Sequence, residues 1–110
     1  MKIRGEQFGL KESTMEQIQA VLFRFPEVEK AIVYGSRAKG TQKSASDIDL
    51  ALSGKNLNLT IQHRIENELD DLLLPYKFDV SIFEKIANTD LVDHINRKGK
   101  EFYSRNSASH

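Results

Sequence analysis

The chain has 110 residues, 39% of them apolar, which is the size and composition of one compact domain. Its basic and acidic residues both number 16, so the net charge is zero and the basic excess typical of nucleic-acid-binding proteins is missing. The sequence has no cysteine, no signal peptide and no apolar run of membrane-spanning length, so we expect a cytoplasmic protein without disulfides, thiolate metal sites, membrane contacts or direct nucleic-acid binding.

The first predicted elements are a helix and a buried strand. Ser13 and Glu16 have the spacing of a capping box, which predicts a helix that begins near Ser13. Pro26 ends this helix. Its apolar residues recur at helical spacing: Met15, Ile18, Val21, Leu22 and Phe25. Ala31–Tyr34 is a short run of strand formers that ends at Gly35, which predicts a buried strand followed by a polar loop.

Two later segments alternate apolar and polar residues with the period of a strand. In Asp47–Leu52 the isoleucine and the leucines face one side, while Asp47 and Asp49 face the other. In Lys77–Ile82 the same alternation puts Asp79 on the polar side. Each predicted strand therefore has one apolar face and one face with aspartate.

Two further helices complete the predicted pattern. One begins near Thr60, and the other occupies about Asn88–Gly99 and is followed by a short extended segment at Glu101–Tyr103. This order of elements predicts an α/β or α+β fold, a small mixed sheet of about three strands with helices packed on it. We expect a single domain over residues 1–103 and a flexible polar tail over residues 104–110.

The aspartates of the two strands are the main candidates for chemistry. Asp47 and Asp49 project together because residues two apart on a strand share a face, and Asp79 can join them if the strands are neighbours. Three close carboxylates would repel one another, and a bound divalent cation removes that problem, so the set suits Mg²⁺ or Mn²⁺. The alternative is that each aspartate is a solvated residue on the open face of a sheet.

The loop that follows the first strand is a candidate phosphate site. Gly35 allows a tight turn and a close approach of phosphate, and the Ser36 hydroxyl and N–H can bind phosphate oxygens. Arg37 and Lys39 can add positive charge nearby. The loop is not a Walker A motif, because the Gly-Lys-Ser/Thr ending is missing. The alternative is an ordinary Gly-Ser turn with solvated basic side chains.

Taken together, Gly35-Ser36, a spacer and Asp47-Ile48-Asp49 resemble the motif of the DNA polymerase β-like nucleotidyltransferase superfamily, with Asp79 at the place of its third carboxylate. The segments around both motifs are especially similar to the minimal nucleotidyltransferases, the MNT proteins, and the resemblance covers Glu27–Tyr103. It implies the nucleotidyltransferase fold.

The resemblance also implies a role for each motif residue. Asp47 and Asp49 would ligate two Mg²⁺ ions, and Asp79 would ligate one of them and help to deprotonate the attacking hydroxyl. Gly35 and Ser36 would bind the β- and γ-phosphates of ATP. Two metal ions would then stabilise the attacking and leaving oxygens of an in-line displacement at the α-phosphate.

MNT proteins are paired with a small helical HEPN protein, and the resemblance implies such a partner here. In the pairs that act as toxin–antitoxin systems, the MNT protein transfers AMP to a tyrosine of the HEPN RNase toxin. The alternative is a nucleotide-binding antitoxin that neutralises a HEPN partner by complex formation without catalysis. Transfer to a small molecule such as an aminoglycoside is disfavoured, because no segment is left to bind it.

The remaining polar and apolar residues support partner contacts more weakly. We expect His63 and His94 on the surface or against a partner rather than as metal ligands, and Arg97, Lys98 and Lys100 as a solvated helix end. Some apolar residues exceed what a small sheet needs, although burial in the core is favoured for each of them: Leu57, Leu59, Leu72, Leu73, Leu74, Phe83, Phe102 and Tyr103.

Overall fold

The computed structural model describes residues 9–35 and 47–105 of the chain. Within them the elements follow in this order: α1 (Glu12–Phe23), β1 (Lys30–Tyr34), β2 (Ile48–Ser53), α2 (Leu59–Asp70), β3 (Phe78–Ile82), a 3₁₀ turn (Phe83–Lys85), α3 (Thr89–Lys98) and β4 (Lys100–Ser104). This is the mixed α/β arrangement that the sequence predicts. The described strands number four rather than about three, because the segment predicted to be extended pairs with β1 as β4.

The four described strands form one mixed sheet in the order β3-β2-β1-β4. Strand β1 pairs antiparallel with both β2 and β4, whereas β2 and β3 are parallel. A parallel pair needs a long crossover connection, and α2 supplies it. The two strands that contain the aspartates are therefore neighbours.

The main core lies between one face of the sheet and helices α1 and α2. The isoleucine and leucines of β2 are fully buried there, and the other three strands, both helices and the connecting segments contribute the rest. Its fully buried large side chains include Ile18, Leu22, Ile48, Leu50, Leu52, Ile65 and Leu69. Burial of each such side chain contributes about 1.5–3 kcal/mol to folding, which makes this face the main source of stability.

The opposite face of the sheet is only partly open to solvent. Helix α3 packs against it and buries Ile95 with Tyr34 and Ala51, and half-buried apolar residues surround this smaller cluster. Helix α3 therefore covers only part of the sheet face with the aspartates, and the rest of that face is exposed to solvent.

The predicted capping box at the start of α1 is wrong. The N-cap residue is Lys11 rather than Ser13, and its side chain makes no capping hydrogen bond. Leu10 and Met15, which flank the first turn, are both buried in the main core. Their N′ and N4 positions are those of a hydrophobic staple, so apolar packing sets the start of this helix.

The end of α1 is joined to the end of β4. The Arg105 guanidinium donates hydrogen bonds to the carbonyls of Phe23 at 2.8 Å, Phe25 at 3.2 Å and Val28 at 3.3 Å. The first two residues of the predicted tail are therefore part of the folded domain, because Ser104 belongs to β4 and Arg105 makes these hydrogen bonds. Residues 106–110 lie outside the described residues.

Asparagine side chains cap the N-termini of the other two helices. Asn58 precedes α2, and its side-chain oxygen accepts a hydrogen bond from the N–H of Ile61 at 2.9 Å. Asn88 caps α3 in the same way, and Gly99 follows its last residue, as predicted. A Cβ atom on Gly99 would lie 2.5 Å from Cγ2 of Ile32, so the close packing of α3 on β1 requires glycine. None of the described helices combines the length and the apolar character needed to cross a lipid bilayer.

Candidate active site

The parallel pairing of β2 and β3 puts two of the predicted aspartates side by side. Asp49 and Asp79 are direct partners in the register, and partner residues on adjacent parallel strands project from the same face of the sheet. Asp49 is half-buried, whereas Asp79 is exposed on the edge strand. Asp47 directly precedes β2 and is exposed. Two of the three predicted carboxylates therefore share one face, and the third lies where β2 begins.

Gly35 lies against one of these two aspartates, Asp49. It directly follows β1 with a φ of +77°, in the left-handed region that favours glycine. A Cβ atom at this position would lie 2.5 Å from Oδ2 of Asp49, so glycine also makes room for that carboxylate. The strand therefore stops at Gly35, as predicted, in a backbone conformation that favours glycine. Ser36, Arg37 and Lys39, the other predicted phosphate-binding residues, lie outside the described residues.

Tyr34 is a member of the site that the sequence reasoning missed. It is buried and is the register partner of Asp49. Burial raises the pKa of Tyr34 above its ordinary value of 10.0; the nearby Ser81 hydroxyl lowers it, and the nearby Asp79 and Asp49 raise it further. Tyr34 is therefore a neutral phenol at neutral pH.

His94 also lies closer to the site than its sequence position suggests. Its ring packs edge-on against the ring of Tyr34, with the two centroids 6.5 Å apart and an interplanar angle of 79°. It is half-buried on α3, whereas His63 is exposed on α2. The sequence did indicate the position of Ser81, because the strand period puts it on the same face as Asp79. No comparable signal existed for His94, because its place depends on the packing of α3.

The family of the chain follows from its sequence as well as from this geometry. Residues 16–108 match the family model described as Polymerase beta, Nucleotidyltransferase. The chain belongs to this nucleotidyltransferase family. The resemblance inferred from the Gly-Ser and Asp-x-Asp motifs is thus confirmed.

Solved structures with the fold of this nucleotidyltransferase domain include toxin–antitoxin complexes. A toxin–antitoxin structure with AMP-PNP matches with a TM-score of 0.69 and 23% identity over 86% of this chain and 76% of that chain. The MntA–HepT toxin–antitoxin matches with a TM-score of 0.64 and 18% identity over 89% and 76% of the two chains. The same values apply to a tri-AMPylated Shewanella oneidensis HEPN toxin in complex with MNT antitoxin. These likenesses show a shared fold, and a comparison with curated proteins found no match.

The aspartates of this nucleotidyltransferase domain fit a magnesium site that substrate completes. In the described parts of the chain, no three acidic or histidine side chains are gathered closely enough to hold a metal ion by themselves. The predicted cluster of Asp47, Asp49 and Asp79 is therefore not formed by these side chains alone. Mg²⁺ commonly takes only one or two carboxylates and completes its octahedron with water and substrate phosphates. The hard oxygens of Asp49 and Asp79, level on adjacent strands, suit that mode of binding.

The apolar residues considered for partner contact fall into two groups. Leu57, Phe102 and Tyr103 are buried in the main core, and Leu72, Leu74 and Phe83 are half-buried, in line with the expected core role. Leu59 and Leu73 instead expose 62% and 87% of their surface. Phe23, which the sequence reasoning assigned to no surface, exposes 56%. These three side chains are the large apolar groups that the described surface presents to solvent.

Proposed function

We propose that this protein is a Mg²⁺-dependent nucleotidyltransferase that transfers AMP from ATP to a helical HEPN partner protein, as the antitoxin of a toxin–antitoxin pair in the cytoplasm. The observation that carries the proposal is the register of Asp49 with Asp79 beside the Gly35 turn, in a chain of the polymerase β nucleotidyltransferase family. Such a pair of level carboxylates next to a tight turn is suited to hold a metal-bound triphosphate.

Each motif residue has a part in the proposed reaction. Asp47, Asp49 and Asp79 would hold the Mg²⁺ ions, and Gly35 with Ser36 would bind the β- and γ-phosphates. Magnesium supplies charge neutralisation at the triphosphate and at the attacking oxygen when it is bound. Arg37 and Lys39, which follow in the same loop, would add positive charge near the phosphates.

The proposed transfer is an in-line displacement at the α-phosphorus of ATP. A hydroxyl oxygen of the partner, on a tyrosine, forms the new P–O bond while the bond to the β-phosphate oxygen breaks and pyrophosphate leaves. The hydroxyl proton needs an acceptor. Asp79 is suited to take it, because this carboxylate is exposed on the edge strand, where a partner side chain has access.

The choice of partner is supported by the fold comparisons. Solved complexes with this fold include one with AMP-PNP and one in which a HEPN toxin is AMPylated and bound to an MNT antitoxin. A protein acceptor is also supported by the exposed apolar side chains, since solvent-exposed apolar surface is typical of interaction sites.

The direct test is a transfer assay with the protein encoded by the neighbouring gene, which the proposal expects to be a HEPN protein. Incubation with ATP and Mg²⁺ should add one or more AMP groups to the HEPN protein, as measured by intact-protein mass spectrometry. Asp79→Asn should abolish the addition. Asp70→Asn is the matched control, because Asp70 is an exposed aspartate on α2, which packs on the other face of the sheet. A partner that is folded and bound but gains no mass would exclude the proposed transfer.

A second candidate is an antitoxin that neutralises its partner by contact alone. It is favoured by the exposed Phe23, Leu59 and Leu73, which suit a partner surface and have no part in the transfer chemistry. The double variant Asp47→Asn/Asp49→Asn separates the two candidates in a growth-rescue experiment with the toxin. Full rescue by this variant supports contact alone, whereas loss of rescue with retained complex formation supports catalysis.

A further inference from the structure

The C-terminal end of α3 lies beside the strand that leads into the Gly35 turn. Gly99, which follows α3, packs on the Ile32 side chain of β1, where a Cβ atom would lie 2.5 Å from Cγ2 of Ile32. Five residues earlier, the His94 ring lies edge-on against the ring of Tyr34, with the centroids 6.5 Å apart. Because Tyr34 ends β1 directly before Gly35, this end of α3 is next to the proposed phosphate-binding turn.

The structure separates three basic residues that the sequence analysis grouped as one solvated helix end. Arg97 forms an ion pair with Asp93 at 3.1 Å, which partly neutralises its charge. Lys100 is the register partner of Val33, which is buried in the main core, so the Lys100 side chain projects from the core face of the sheet. The third residue is Lys98, whose side chain forms no hydrogen bond or ion pair with any described residue.

Lys98 lies on the side of α3 that contacts Tyr34. It follows His94 by four residues, so the two side chains are neighbours on one stripe of the helix. Both line a cavity of about 270 Å³, together with three other charged residues of α3: Asp90, Asp93 and Arg97. Since Tyr34 is the register partner of Asp49, this stripe borders the site face of the sheet.

The order of the strands determines which part of a nucleotide Lys98 can contact. From the edge inward, the site presents Asp79 on β3, Asp49 on β2 and Gly35 after β1, and α3 ends where the next strand, β4, begins. In the proposed function the acceptor hydroxyl meets the α-phosphate at Asp79, whereas Gly35 binds the β- and γ-phosphates. The triphosphate would then extend from β3 toward β1, and its terminal phosphates would be the part closest to Lys98.

We propose that the Lys98 ammonium binds the terminal phosphates of the nucleotide substrate. The inference rests on the proposed function, and it supplies a cation for phosphates that the carboxylates of Asp49 and Asp79 repel. Lysine suits this task, because it presents a compact charge with three rotatable N–H donors on a flexible stem. AMP lacks the β- and γ-phosphates, so its binding should not depend on Lys98.

Nucleotide binding by the purified full chain tests this role. Isothermal titration calorimetry with AMP-PNP and Mg²⁺ should show about tenfold weaker binding by Lys98→Gln, in line with the loss of a hydrogen bond to a charged group. Lys98→Arg keeps the charge and should retain most of the affinity. AMP should bind equally to the natural chain and to Lys98→Gln.

Lys100→Gln is the matched control. Lys100 is an exposed lysine only two residues away, but it projects from the opposite face of the sheet. Its replacement should leave AMP-PNP binding at the natural value. Salt gives a second readout that a purely structural role would not change. The difference between the natural chain and Lys98→Gln should shrink at about 1 M salt, where the Debye length is about 3 Å.

The two proposals fail in different ways. The phosphate role of Lys98 is excluded if Lys98→Gln binds AMP-PNP as tightly as the natural chain, if it weakens AMP binding equally, or if the natural chain binds no AMP-PNP. If Lys98→Gln weakens binding of AMP-PNP but not of AMP, while the natural chain transfers no AMP to the HEPN protein, the role of Lys98 stands and the proposed transfer fails.

Discussion

The two faces of the sheet are built from the same strands but differ in how many kinds of side chain they tolerate. On the core face, Leu50 is fully buried among other aliphatic side chains, and many apolar residues of similar volume would serve there. On the site face, neighbours in the same strands are Asp49, Ala51 and Ser81, and the Asp49 carboxylate has room only because Gly35 beside it has no Cβ atom. The core face therefore determines whether the chain folds, while the site face determines the chemistry that the fold supports.

The largest expected effect is a loss of stability caused by a substitution on the core face. Leu50→Ala removes a fully buried side chain from the core face and should lower the free energy of unfolding by about 2–5 kcal/mol, the usual cost of such a cavity. Urea unfolding followed by circular dichroism measures it. A change below about 0.5 kcal/mol would contradict the assigned role of this face.

The converse substitution on the site face should affect activity and not stability. Asp49→Asn keeps the shape of the side chain but removes a charge that would hold metal, so AMP transfer should fall by roughly 100- to 1000-fold. Its urea midpoint should change far less than that of Leu50→Ala, because a half-buried polar side chain is replaced by one of the same shape. A loss of stability as large as that of Leu50→Ala would break the contrast between the faces.

Gly35→Ala should lower both the stability of the fold and the activity of the site. An alanine at a φ of +77° costs about 1–2 kcal/mol in backbone strain, and its Cβ would displace the Asp49 carboxylate. Gly9→Ala is the control for backbone strain, because Gly9 has a φ of +73° and precedes α1, outside the four described strands. We expect similar losses in urea stability from both variants but a loss of Mn²⁺ binding and transfer from Gly35→Ala alone. Equal transfer by the two variants would contradict the contact with Asp49.

The smallest expected effect is on the alkaline stability of the metal-free protein. Burial raises the folded-state pKa of Tyr34 above its unfolded value of 10.0, so the folded chain keeps the proton to higher pH than the unfolded chain does. This contribution to stability is complete below the unfolded pKa and is lost as pH rises through the folded pKa. Urea unfolding across that interval should show a steeper decline for the natural chain than for Tyr34→Phe. Parallel declines would indicate that Tyr34 is not shielded from solvent.

Local sequence patterns predicted the elements well, because strand and helix periods are properties of a few consecutive residues. The alternation around Asp49 and Asp79 gave both strands and their polar faces, and Asn88 and Gly99 bounded the last helix. The start of α1 was misjudged, since the packing of Leu10 with the core outweighs the capping tendency of a serine.

Such local patterns could not predict contacts between strands that are far apart in the sequence. The pairing of β4 with β1 and the level register of Asp49 with Asp79 depend on sheet order, which period alone does not give. The places of Tyr34 and His94 depend on that order and on the packing of α3. The family resemblance supplied the motif residues, but these supporting side chains required the three-dimensional structure.

The parallel pairing of β2 with β3 has a consequence for the growing polypeptide. Strand β2, with Asp49, is synthesised before α2, and strand β3, with Asp79, is synthesised after it. A nascent chain that stops before residue 78 therefore contains β2 but lacks its parallel partner β3. Such a crossover must close a long loop before its contacts form, which makes this pairing a late event in folding. If the proposed function holds, the nascent protein can bind a triphosphate only after β3 has emerged from the ribosome, and magnesium nucleotide added at that stage should favour the folded state by mass action.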